Sequence, residues 1–275
     1  MIGRYNTLKV VKELDFGVYL DGGEEFGEIL LPIRYVPPGL MPDDEIEVFI
    51  YRDSEDRVIA TTEEPYAQVG EFALLEVKAV NKTGAFLDWG LMKDLMVPFR
   101  EQSERMKTGE KHVVYIYLDD ESGRIVASSK LNKFLDNLMP EYEVGEEVDV
   151  LIIGKSDLGY KAAINNVHSG MLYHNELFKP VKIGDKTKGY IKKVREDDKL
   201  DIILDKPGYE KIDGLAGEIM DQLKSKGGYL AVSDKSPAEV IYKMFATSKK
   251  NFKKAIGTLY KQRLISIDKE GIKLT

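Results

Sequence analysis

The sequence predicts a mainly β chain, three tandem five-stranded closed barrels followed by a small α/β domain of three helices and a hairpin. Three observations carry that prediction. Two segments repeat at one constant offset, a third keeps an offset of its own, and past residue 208 the apolar spacing changes from that of strands to that of a helix.

Leu8-Lys9-Val10-Val11 through Phe16-Gly17-Val18-Tyr19-Leu20-Asp21 aligns with Leu75-Glu76-Val77-Lys78 through Thr83-Gly84-Ala85-Phe86-Leu87-Asp88, an offset of 67. Arg57-Val58-Ile59-Ala60-Thr61 matches Arg124-Ile125-Val126-Ala127-Ser128 at the same offset. A fainter copy lies 75 residues on: Val69-Gly70-Glu71 recurs as Val144-Gly145-Glu146, Gly84 as Gly159 and Arg124 as Lys199. These units divide the chain into residues 1–64, 65–139 and 140–208, with a fourth domain over 209–275.

Within a unit, apolar and polar residues alternate over short stretches such as Glu45–Ile50 and His112–Tyr117, which are rich in β-branched and aromatic types. Asp53-Ser54-Glu55-Asp56, Asp119-Asp120-Glu121-Ser122-Gly123 and Glu196-Asp197-Asp198 read as tight hairpin turns. Five strands in about 70 residues, with a glycine where a barrel must bend, suit a small closed sheet of the OB-fold kind. An open all-β sandwich is the alternative that the same alternation allows.

Past Lys206-Pro207-Gly208, Ile212, Leu215, Ile219 and Leu223 recur at helical spacing up to Gly227-Gly228, a helix stop. Ser236-Pro237-Ala238-Glu239 predicts a capping box opening a second helix, whose apolar face is Val240, Ile241, Met244 and Phe245. A third helix starting near Ser248 places Phe252, Ile256, Leu259 and Tyr260 inward and Lys249, Lys250, Lys253, Lys254 and Lys261 outward. A hairpin follows over Leu264–Ile267 and Ile272–Leu274, around the turn Asp268–Gly271. Three helices and a hairpin make a winged helix.

Hydrophobic residues make up 43% of the chain, enough to build several cores, and none of its apolar stretches suits a membrane span. The N-terminus has no basic start followed by an apolar run, and there is no cysteine, so a cytoplasmic location is expected. Without cysteine there are no disulfides, thiolate zinc sites or thiol nucleophiles, and His112, His168 and His174 are too scattered for a ligand set. No cofactor and no membrane partner are expected. The net charge of −7 is uneven: residues 209–275 hold 13 Lys+Arg against 8 Asp+Glu, and the first 208 residues hold 27 against 39. An acidic body carries a basic tail, and local cationic surface governs phosphate binding.

Phe16-Gly17-Val18-Tyr19-Leu20-Asp21, the Val-Gly-Glu entries at Val69–Glu71 and Val144–Glu146, Gly170–Leu177 and Arg124–Ser128 resemble the S1 domain, an OB-fold RNA-binding repeat. Three such units and a winged helix look like the conserved virulence factor B family of bacterial RNA-binding regulators. The resemblance implies that RNA crosses strands two and three of a barrel. It meets two aromatics near the glycine, a histidine ending strand three, and an acidic and a basic residue at the last hairpin. Rings stack on unpaired bases and cations hold phosphates. Unit one offers Phe16, Tyr19, Asp53 and Arg57, with Pro32 where the histidine is expected. Unit two offers Phe86, Asp120 and Arg124, with Thr83 for the first ring and Pro98 for the histidine. Unit three keeps His174 and offers Lys199, has Leu158 and Lys161 at the ring positions, and carries Tyr160 and Tyr173 as candidate substitutes.

Each ring has a competing role as core filling. Trp89 is a weaker candidate for RNA contact, and His112, within a strand, reads as structural. Lys249, Lys250, Lys253 and Lys254 lie on the helix that helix-turn-helix proteins present to nucleic acid, and a merely solvated lysine face is the alternative. The expected function is non-catalytic, sequence-tolerant binding of single-stranded RNA by the third barrel and winged helix, with the first two barrels assisting. A duplex-DNA-binding transcription regulator and a protein adaptor are the alternatives. There is no phosphate-binding glycine loop, metal cluster or Ser/His/Asp grouping that would point to an enzyme. Short linkers at Glu63-Glu64-Pro65 and Met139-Pro140-Glu141 imply partial rigidity between neighbouring domains.

Overall fold

A computed structural model describes residues 1–136, 140–177, 180–204 and 210–275, with side chains from residue 214 in the last segment. Met139 of the second expected linker, Lys206-Pro207-Gly208 where the period changes, and the side chain of Ile212 lie outside the described residues. The chain forms two compact units, residues 1–136 and 137–275.

The first barrel consists of β1 (Tyr5–Leu14), β2 (Gly17–Asp21), β3 (Glu28–Pro32), β4 (Glu45–Arg52) and β5 (Val58–Thr61), with a single helical turn, α1 (Gly23–Phe26), between β2 and β3. The second consists of β6 (Phe72–Val80), β7 (Gly84–Asp88), β8 (Leu95–Pro98), β9 (Lys111–Leu118) and β10 (Ile125–Ser128). The third consists of β11 (Glu147–Lys155), β12 (Gly159–Ile164), β13 (His168–Tyr173), β14 (Lys186–Val194) and β15 (Leu200–Ile203). All three close in the order first, second, third, fifth, fourth, with third and fifth strands parallel. Closure decides for the barrel over the open sandwich. A bulge recurs in each first strand, between Val10 and Lys12, Val77 and Ala79, and Ile152 and Gly154. It supplies the local bend and added twist that a small barrel needs to close.

Inward residues of period two fill each barrel. Val10, Val18, Leu20, Ile29, Leu31, Val48 and Ile50 form the first core, and Val148, Val150, Ile152, Ala162, Ile164, Leu172, Ile191 and Ile202 the third. Each large aliphatic among them contributes about 1.5–3 kcal/mol by burial. The second core is larger, because Phe49, Tyr51 and Ile59, outward residues of the first barrel, join Trp89, Leu87, Val97 and Ile116. The seam is tied by Val69 N donating to Gly3 O at 2.9 Å, Tyr5 N to Gln68 Oε1 at 3.0 Å, and Arg52 Nε to Gly123 O at 3.2 Å. The first two barrels are thus fused through a shared core.

The last domain comprises α2 (Glu210–Ser225), β16 (Tyr229–Leu230), α3 (Ala238–Phe245), α4 (Lys249–Lys261), β17 (Ile265–Ile267) and β18 (Ile272–Leu274), with an antiparallel sheet in the order β16, β18, β17. Leu215, Ile219, Leu223, Ile241, Phe245, Phe252, Ile256 and Leu259 bury together, as their spacing predicted. Gly227 and Gly228, both at positive φ, end α2. Three details differ from expectation. The capping box does not form: Pro237 is the N-cap of α3, and Ser236 Oγ instead accepts from Ser233 N at 2.9 Å. Tyr260 and Val240 are exposed, because Leu259 and Ile241 already fill the core positions beside them.

Candidate nucleic-acid interface

Gly17, Gly84 and Gly159 begin the second strand of each barrel where it runs closest to the third. A Cβ on them would come within 2.2 Å of Leu31 O, 2.3 Å of Val97 O and 2.1 Å of Leu172 O. No side chain fits there, and the residues just before these glycines, Phe16, Thr83 and Leu158, are exposed. In the first barrel Phe16 is 52% exposed and meets Tyr19 edge to face at 6.3 Å, with the Lys12 ammonium 4.8 Å from the Tyr19 ring. Exposed rings and a neighbouring cation are the groups on which unpaired bases stack in general. In the second barrel Phe86 is half-buried and pairs with Met96 across the strands. In the third, Leu158 is 65% exposed and Lys161 is exposed.

Register counted from these glycines corrects two positions. Gly17 faces Pro32, Gly84 faces Pro98 and Gly159 faces Tyr173. His174 therefore corresponds to Ile33 and Phe99, not to the prolines, and each of the three opens a 3-10 turn after strand three. In the last hairpins, Asp53 N donates to Arg57 O at 3.0 Å and Asp119 N to Arg124 O at 2.9 Å. The second hairpin is one residue longer, so Asp119, not Asp120, stands where Asp53 does. Arg195, whose N donates to Lys199 O at 2.9 Å, holds that position in the third barrel.

The hairpin cations are paired. Arg57 meets Asp53 at 2.7 Å and Glu55 at 3.0 Å, Lys199 meets Asp197 at 2.8 Å, and Arg124 reaches back to Asp56 of the first barrel. Burial would raise the Asp53 carboxyl, but hydrogen bonds from the Arg57 side chain and the Arg57 and Glu55 amides outweigh it and hold it below its ordinary value. The Asp119 carboxyl is also lowered, chiefly by the Ser122 hydroxyl at 2.6 Å.

In the third barrel a different group assembles. Tyr160 occupies an inward register position, packs on the core and meets His174 edge to face at 5.5 Å. Tyr173 is half-buried, with its hydroxyl 3.5 Å from Arg195 Nη1. Arg195 also meets Asp197 at 3.1 Å. On α4, Ser248 caps the helix by accepting from Asn251 N at 3.1 Å. Lys249 donates to Ser236 O at 2.8 Å and Lys253 lies 3.5 Å from Asp234, while Lys250 and Lys254 are exposed and make no ion pair among the described residues. Trp89 is 2% exposed, packed edge to face on Phe49 at 5.8 Å, with Nε1 donating to Lys93 O at 2.6 Å, so it faces the seam rather than a ligand. His112 is tied to Glu110 at 3.0 Å.

An S1 domain family model matches residues 2–63 and again 69–130, and a CvfB-like winged helix domain model matches residues 217–274. The chain thus carries S1 domains and a CvfB-like winged helix, and relatives named conserved virulence factor B match most of its length. Conserved virulence factor B of Staphylococcus aureus is 28% identical over 254 residues, covering 85% of this chain and 82% of that protein. The uncharacterized protein YitL of Bacillus subtilis is 26% identical over 267 residues, 94% of this chain and 89% of its own length. A crystal structure of a multidomain protein with nucleic acid binding domains from Streptococcus pneumoniae is 22% identical, covers 100% of this chain and 98% of that one, and has a TM-score of 0.42. S1 domains joined to a winged helix make nucleic-acid binding the function at its coarsest, and neither matched model is of a catalytic family.

Within this family architecture, sequence reasoning missed Arg195 and Lys193. Arg195 stands at the Asp53 position, and Lys193 pairs with Asp201 across the strands as Tyr51 pairs with Ile59 in the first barrel. An extra bulge between Ile191 and Lys193 hides that equivalence from any constant offset. Among the described residues no group of three or more carboxylates or imidazoles could hold a metal ion, and no helix is long and apolar enough to cross a membrane.

Proposed function

We propose that this protein binds single-stranded RNA without catalysis, through the third barrel and the winged helix, and acts as a post-transcriptional or translation-linked regulator in the bacterial cytoplasm. The observation that carries this reading is the cationic face of α4, where Lys250 and Lys254 project without ion pairs among the described residues. The charge division supports it. Residues 137–275 hold 24 Lys+Arg against 21 Asp+Glu, whereas residues 1–136 hold 16 against 26. Polyanion binding follows local cationic surface and weakens steeply with salt. The exposed Phe16 and Tyr19 pair offers a secondary stacking site in the first barrel, which linkage to the main site makes effective through local concentration.

The test is a titration of labelled single-stranded RNA against the full chain and a variant with Lys249, Lys250, Lys253 and Lys254 all changed to Gln. Loss of about 100-fold in affinity at 0.1 M salt is expected, on the order of a few phosphate contacts. Unchanged affinity would reject the role given to α4. Helix-turn-helix proteins present this same helix to duplex DNA. Ready displacement of the RNA by duplex DNA would move the assignment to a DNA-binding regulator.

A further inference from the structure

Val18, Leu20, Ile29 and Leu31 fill the core of the first barrel, so strand alternation turns Tyr19, Leu30 and Pro32 outward. Tyr19 pairs with Leu30 and Gly17 with Pro32 across β2 and β3, while Leu14 pairs with Gly17 across β1 and β2. The Ile33 amide donates to Phe16 O at 2.9 Å. One apolar face results, on which Leu14 is 41%, Phe16 52% and Ile33 53% exposed. A contiguous exposed apolar surface on a soluble domain marks an interaction site, where single exposed residues do not. The fold does not require it: at the offset of 67, the second barrel carries Asn81 and Thr83 in place of Leu14 and Phe16.

The charge around this face is one-sided. Residues 1–64 hold 6 Lys+Arg against 15 Asp+Glu, whereas residues 65–136 hold 10 against 11. Glu13 and Asp15 flank Leu14, and Glu24 and Glu25 follow β2 on α1; all four are exposed and make no ion pair among the described residues. The cations nearest the face are engaged: Lys12 with Glu28, Arg57 with Asp53 and Glu55, and Arg34 over the Tyr35 ring at 4.6 Å.

We propose that this face docks a protein partner, a basic segment with aliphatic or aromatic anchors set between its lysines and arginines. The anchors cover Leu14, Phe16 and Ile33, and burial of apolar surface holds them there. The unpaired carboxylates around them attract the cations and reject acidic segments. RNA suits the surface less well, because its phosphates meet a barrel in which carboxylates outnumber cations and Lys12 and Arg57 are already neutralised. Phe16 and Tyr19, the secondary stacking pair named above, lie on the same face, so protein and RNA compete for them. Docking here is independent of RNA binding through α4, and it gives the acidic barrel a task of its own.

The test uses the full chain and a fluorescein-labelled 12-residue peptide, three repeats of Lys-Leu-Arg-Phe. A control peptide has Ser for Leu and Phe, and a 12-nucleotide uridine RNA is titrated in parallel. Wild type should bind the apolar peptide at least fivefold more tightly than the control. Leu14→Ser with Ile33→Ser should weaken peptide binding about fivefold or more, leave RNA affinity unchanged, and barely move the melting temperature, since both side chains are exposed. Asp15→Asn with Glu24→Gln and Glu25→Gln keeps the apolar face, and should weaken peptide binding and flatten its salt dependence. Equal binding of the two peptides by wild type would reduce the effect to charge and overturn the proposal. Unchanged peptide affinity in both variants would overturn it as well. If Leu14→Ser with Ile33→Ser loses RNA affinity and keeps peptide affinity, the face serves RNA and protein docking is rejected.

Discussion

The first and third barrels share strand order, bulge and glycine, yet two outward positions divide their fates. On the fourth and fifth strands the first barrel carries Tyr51 opposite Ile59, and the third carries Lys193 opposite Asp201. Tyr51 and Ile59 join Phe49 and Trp89 in the seam with the second barrel. The second barrel repeats the theme, since Phe134 stacks on Tyr115 at 4.3 Å and packs tilted against Tyr117 at 5.1 Å. In the third barrel Lys193 stays exposed. One barrel design therefore serves as scaffold where its outer stripe is aromatic, and as accessible surface where that stripe is charged. The lesson is that barrel topology fixes neither role. A few outward side chains do.

The strongest test of the scaffold half is Trp89→Ala. The indole fills the inter-barrel seam, so its loss should cost about 3–5 kcal/mol through lost burial and the cavity left behind. The cost should fall on residues 1–136 and leave amide exchange in the winged helix unchanged. Hydrogen exchange resolved by segment reads both. Equal loosening of the two units would break the division drawn here.

Much of this division was legible in the sequence, and the remainder fails for identifiable reasons. The constant offset from Gly17 to Gly84 located two barrels because a glycine pressed against a carbonyl cannot be replaced by a larger residue. Helical spacing found Leu215, Ile219, Phe252 and Ile256 because a core-facing helix repeats its apolar positions every three or four residues. Site residues fared worse. One added residue in the hairpin Asp119–Arg124 moved the equivalent acid from Asp120 to Asp119, and a one-residue difference placed His174 opposite Ile33 rather than Pro32. Side chains reverse face with every residue in a strand, so a slip that barely alters an alignment relocates a contact. Trp89 was unreadable in another way. Its partner Phe49 lies 40 residues earlier, in a different barrel, and local periodicity carries no record of that contact.

A smaller effect sharpens the comparison through pH. The Asp53 carboxyl lies below its ordinary value, so it contributes stability above pH 3.8 that is lost as pH falls through its lower folded value. Asp53→Asn should cost about 1–2 kcal/mol at neutral pH, from hydrogen bonds to a charged acceptor, and should remove that part of the acid sensitivity. The third barrel has Arg195 at this position, and its lowered hairpin carboxylate, Asp197, is solvent-exposed, so the larger loss on acidification at this hairpin should fall on the first unit. Urea midpoints of residues 1–136 and 137–275, followed from pH 7 to pH 3, check both points. An acid transition equally steep after the substitution would remove Asp53 as its source.

The smallest expected effect is the most discriminating for function. Arg57 and Arg124 are the hairpin cations that the resemblance to S1 domains offers for RNA contact, but each already faces a carboxylate: Arg57 meets Asp53 and Glu55, and Arg124 meets Asp56. A cation neutralised by its neighbours releases few counterions when RNA arrives, so it adds little to affinity. Lys250 and Lys254, with no ion pair among the described residues, carry the opposite expectation. Arg57→Gln with Arg124→Gln in the full chain should therefore change RNA affinity less than about twofold and leave the salt slope unmoved, since neither counterion release nor phosphate contact is lost. A tenfold loss would mean that RNA displaces the acidic partners and that the fused barrels bind as strongly as the basic unit. The contrast between scaffold and surface would then have to be redrawn around the exposed Phe16 and Tyr19 pair.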